Sequence, residues 1–194
     1  YPKFYDNVSI ISPGKYIFLH PVIVSVMDKL DNPAWNALNE SHRDFARGDD
    51  RIKRYDPVFA PFGGNAGDTN TMEMRSGYVP ENDFCYLIGA LPALPPEYVL
   101  EKQLVCLQMV CPERISMEML ERIRVLGDAE ATDLSNLINL VQPGYFRENT
   151  RLMGDYFGIY KDNMLIAVAG ERMRMRGFTE ISAVVTRPGF TGRG

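Results

Sequence analysis

The residues best suited to chemistry sit near the carboxy terminus, where Val184-Val185-Thr186-Arg187-Pro188-Gly189-Phe190-Thr191-Gly192-Arg193-Gly194 carries an apolar run into a glycine-rich segment. Glycines at such a place let backbone amides converge on an anion, as a pyrophosphate requires, and a following helix would add favourable partial charge. Spacing alone reads equally well as a plain turn. Just upstream, Arg172, Arg174 and Arg176 alternate with Met173 and Met175. A strand there puts arginines on one face and methionines on the other. That face is either solvated over a Met-lined core or an attractor for an anionic substrate, because guanidinium forks match phosphate geometry. A second glycine-rich stretch, Gly63-Gly64-Asn65-Ala66-Gly67, lacks the lysine of a P-loop and reads as part of a long exposed loop over 57–70.

Other reactive types point away from chemistry. Cys85, Cys106 and Cys111 lie among apolar residues and read as buried, reduced thiols. Neither His20 nor His42 has a partner at a zinc-ligand spacing, so no metal site is expected. The 21 Lys and Arg against 25 Asp and Glu give a net charge of -4, which offers no global footprint for nucleic acid. The longest apolar stretch, Tyr16 to Met27, is broken by His20, Pro21 and Ser25, so no membrane span is expected and the cytoplasm is the default compartment. With 45% hydrophobic and 24% charged residues in 194, the chain can bury one large core or two small ones.

The elements that must position these residues are legible in part. Strands are expected at Val8–Ile11, Tyr16–Leu19 and Val22–Val26. Asn32-Pro33 opens a helix over 33–47 with Trp35, Leu38, His42 and Phe45 on its buried face and Gly48 as its stop. Phe84–Ile88 and Val99–Val110 read as strands, the second also compatible with helix, and Pro112 marks a boundary. The second half predicts a strand ending at Leu126, a helix from an Asp128 cap through Ala131, Leu134, Leu137, Ile138 and Val141, and a stop at Pro143-Gly144. Three strands follow, 156–160, 164–175 and 180–186, with links short enough for hairpins.

The order strand, helix, meander, then V-V-T-x-P-x-x-T-G-x-G resembles the first half of a GNAT-superfamily acyltransferase. Val184, Val185 and Pro188 match the family's V-x-P segment, and Gly192 and Gly194 match its pyrophosphate loop. Thr191 stands where the family carries Arg or Gln. The wider run through Leu126-Gly127-Asp128, Gly154-Asp155-Tyr156-Phe157-Gly158 and Ala169-Gly170-Glu171-Arg172 is similar to a branch of predicted acetyltransferases with a degenerate amino-terminal half.

The resemblance implies an α+β fold, a largely antiparallel sheet flanked by helices. It implies two regions, 1–115 as an α/β half-domain and 116–194 as the first half of a catalytic domain whose later half lies outside this chain. The implied activity is N-acetyl transfer from acetyl-CoA to a small-molecule or peptide amine by direct attack. Amides near Val184, Val185 and Thr186 would bind the thioester carbonyl. Those of Thr191, Gly192, Arg193 and Gly194 would hold the pyrophosphate, and Glu171 or Glu180 would take the amine proton. The family's acid, a late tyrosine, would lie beyond Gly194. A non-catalytic acyl-CoA-binding module and an interaction module that completes its sheet with another chain, for example as a homodimer, are the alternatives.

Overall fold

The computed structural model describes residues 28–67, 74, 76–89, 91–103, 108–111 and 121–192. The strands expected before Val26, the boundary at Pro112, Cys106, Arg193 and Gly194 lie outside them. The chain forms two compact units. The first runs to Asp56 and from Pro61 to Val110, taking in Met175–Gly177; the second comprises Pro57–Ala60, Cys111–Arg174 and the segment from Phe178 onward.

In the first unit, helix α1 (Pro33–Asn39) lies on a four-stranded sheet of β1 (Ala46–Gly48), β2 (Ile52–Tyr55), β3 (Phe62–Asn65) and β4 (Tyr86–Ile88), in that spatial order. The helix begins as the sequence predicts: Asn32 accepts a hydrogen bond from Trp35 N through its side chain, and Pro33 occupies the first turn. It ends eight residues short of 47. The Asn39 side chain bonds back to Trp35 O, and the chain then turns, so that His42 N reaches Ala37 O. Phe45 therefore lies in a 3-10 turn. The buried residues are Pro33, Ala34, Ala37 and Leu38, whereas Trp35 is only half-buried, with the Lys53 ammonium 5.6 Å from its ring centroid. His42 is buried against the Tyr55 hydroxyl, 3.0 Å away.

The Gly63–Asn65 stretch corrects the expectation of an exposed loop. It is a fully buried central strand, antiparallel to β2 and parallel to β4. Glycine is needed for proximity: a Cβ on Gly64 would stand 2.6 Å from both Asn32 Oδ1 and Trp35 N, so only a bare backbone lets α1 pack this closely. The described part of Val99–Val110 has no strand or helix, a second correction; prolines at 92, 95 and 96 precede a stretch whose Val99 is 81% exposed. The thiol expectation also changes, because Cys111 is exposed and Cys85 half-buried.

The second unit follows the sequence reading closely. Strands β5 (Ile123–Leu126), β6 (Tyr156–Lys161), β7 (Met164–Met175) and β8 (Phe178–Thr186) form a sheet in chain order, with helix α2 (Ala131–Val141) between β5 and β6 in sequence. Pairing of β5 with β6 and of β6 with β7 is antiparallel. Asp162 and Asn163, both at positive φ, make the tight turn that the right-handed strand twist favours. Leu134, Leu137 and Ile138 of α2 pack with Leu126, Phe146, Tyr156, Leu165, Val168 and Val185 into one core. Tyr156 lies opposite Gly170, and its ring occupies the space that a Cβ there would need.

Candidate functional site

The glycine-rich end is built on β8, the last strand of its sheet. Ala183 interrupts that strand with φ +50, a left-handed conformation rare for a residue with a Cβ. Such a kink re-aims the backbone groups that follow. Beyond it Val184 is 59% exposed, Val185 is buried in the core and Thr186 is half-buried. Val185 thus anchors the strand end while its neighbours flank it. Arg187 N donates to Ile166 O of β7 at 2.7 Å, just past the end of β8.

Arg187-Pro188-Gly189-Phe190 then closes a turn, with Phe190 N donating to Arg187 O at 3.0 Å. Proline at its second position and Gly189 at φ +87 identify it as type II. Gly192 is also left-handed, at φ +72, and a Cβ on either glycine would meet nothing within 4 Å. These glycines serve conformation, not close packing. Pro188, Gly189, Thr191 and Gly192 are exposed, and Phe190 N–H is taken up by the turn itself.

The two candidate carboxylates lie on neighbouring strands and are both held by arginine. Glu180 receives two hydrogen bonds from Arg172, one from Nε at 2.9 Å and a shorter one from Nη2. Arg172 is 5% exposed, so a buried cation is matched by a fork-on-fork carboxylate. Glu171 pairs with Arg174 and also accepts from Asp155 N at 3.0 Å, while Arg174 reaches Asp155 at 2.9 Å. Arg176 meets Glu40, which also pairs with Lys29. The arginine row is neither a plain solvated face nor an open phosphate receptor: each guanidinium has a carboxylate of this chain. Met173 and Met175 are buried, as the alternation predicts.

Sequence reasoning missed two features. Ala183 gives no signal, since alanine does not advertise a left-handed backbone. Arg187 stood inside the quoted motif but only as a spacer. Its Nε donates to Leu165 O at 2.9 Å, a second tie from the turn to β7. Among the described residues no group of His, Cys, Asp and Glu gathers that could hold a metal, and no helix is long and apolar enough to cross a membrane.

No family model and no curated protein matches the chain. A solved structure does, that of a protein from Novosphingobium aromaticivorans DSM 12444 described as a predicted acetyltransferase of the GNAT family. It is 24% identical, with a TM-score of 0.61, over 85% of this chain and 74% of its own. The fold of this chain is therefore GNAT-like: mixed α+β, with sheets rich in antiparallel pairs and few helices.

Proposed function

We propose that the protein is an N-acyltransferase that takes its acyl group from acetyl-CoA. The observation that carries this reading is the end of β8 in a GNAT-like fold, where a left-handed Ala183 leads into an exposed glycine turn. The thioester supplies an activated acyl carbon. An amine attacks it, the new C–N bond forms as the C–S bond breaks, and the amine proton is transferred to a base while the thiolate leaves.

This chain's groups fall into three roles. Backbone amides at Val184–Thr186 stabilise charge on the thioester oxygen, and those from Thr191 to Gly194 hold the pyrophosphate. Glu171 and Glu180 are the carboxylates within the unit that could take the proton. Each is already engaged by arginine, so a base there works through a lone pair the arginine leaves over, directly or through water. The acceptor is a small-molecule or peptide amine, and the cytoplasm is the compartment proposed.

Release of free thiol from acetyl-CoA over a panel of amines, with calorimetric titration of CoA, tests the reading. Binding with turnover supports it. Binding without turnover with any amine assigns the chain to acyl-CoA binding alone, and absence of binding removes the acyl-CoA reading altogether.

A further inference from the structure

Arg187 is tied three ways at the point where β8 leaves the sheet. Its backbone N–H donates to Ile166 O, its Nε donates to Leu165 O, and its own carbonyl accepts from Phe190 N to close the type II turn. Leu165 is 1% exposed and belongs to the core of the second unit. The side chain therefore fastens an exposed turn to the least mobile kind of anchor, a backbone carbonyl of a core residue in a paired strand. The strand arginines Arg172 and Arg174 each meet a carboxylate; Arg187, just past β8, meets a neutral carbonyl at the head of the turn.

A main-chain anion site gains affinity when its amides are already fixed, because less ordering is left for the moment of binding. Pro188 fixes one φ and Gly189 supplies the left-handed corner, but neither ties the turn to the sheet. We propose that Arg187 is the positioning residue of the turn: it does not touch the reacting atoms, and it sets how tightly the phosphate-bearing part of the cosubstrate is held. This inference rests on the acyl-CoA reading above.

The test compares the parent chain with Arg187→Met and Arg187→Lys. Calorimetry gives the Kd for CoA, and amide hydrogen exchange gives the protection of Phe190. Loss of one charge-assisted hydrogen bond should raise the Kd about tenfold in Arg187→Met and speed exchange at Phe190. Lysine can still donate to Leu165 O, so Arg187→Lys should recover part of both effects. Should Arg187→Met fail to fold, the lysine variant decides alone, with an intermediate Kd and intermediate exchange expected. Unchanged Kd in the variants overturns the proposal, and so does a lysine variant no better than methionine. A parent chain that binds no CoA overturns both this proposal and the reading beneath it, whereas a parent that binds with indifferent variants overturns only this one.

Discussion

At the scale of single residues, glycine does two separate jobs in this chain, and substitution tells them apart. Gly64→Ala would force a Cβ to within 2.6 Å of Asn32 Oδ1 and Trp35 N, so α1 must lift from β3. Overpacking of this kind should cost about 1–3 kcal/mol in a denaturant titration. Gly189→Ala meets open space but requires φ +87, so its cost should be about 1 kcal/mol, arising from backbone strain. Only the second kind was legible in the sequence, through the Pro-Gly dipeptide. The first was read as a flexible loop, because nothing in Gly63-Gly64 says that a helix presses on it. Cys85 offers a pH prediction. It packs against Ile52, Met74 and Tyr78, and burial pushes its thiol up to about 12. The unfolded thiol ionises at lower pH, so the stability it contributes is whole below that ordinary value and lost as pH rises through about 12. At pH 8–9 a thiol reagent should label the exposed Cys111 fast and Cys85 slowly; equal rates would contradict the environment described for Cys85.

At the scale of elements, β7 and β8 are joined by side chains as well as by their ladder. Arg172 is almost wholly enclosed, with its charge met by Glu180. Glu180→Gln leaves that guanidinium facing a neutral amide and should destabilise the fold by about 3 kcal/mol; Arg172→Met together with Glu180→Leu should recover most of that loss. Thermal unfolding of the single and double variants measures the coupling. If acyl transfer depends on Glu180 as a base, the double variant will fold yet lose turnover, which separates the two roles. The sequence exposed the alternation of arginine and methionine and hence the strand, since that pattern depends only on period two. It did not reveal the partners, because register across β7 and β8 is a tertiary fact. For the same reason α1 was overextended: Trp35, Leu38, His42 and Phe45 keep helical spacing, yet His42 turns inward to Tyr55 and Asn39 bonds back along the helix.

At the scale of the molecule, the second unit was read nearly element for element because its signals are local: an amphipathic helix, two tight turns and three alternating strands. The expected Asp128 cap is the exception, since Asp128 opens a 3-10 turn ahead of the helix and its carboxylate pairs with Arg151. The first unit was less legible, since its sheet includes a parallel pair, β3 with β4, whose partners are joined by a long connection. The left-handed residue in β8 has one more consequence, and it concerns association between molecules. This strand ends its sheet and exposes Ile181 and Val184, the composition of a strand that recruits others into fibrils. Ala183 divides its nine residues into five before the kink, Phe178–Ser182, and three after it, Val184–Thr186, runs that fall below the roughly six continuous residues a dry zipper needs.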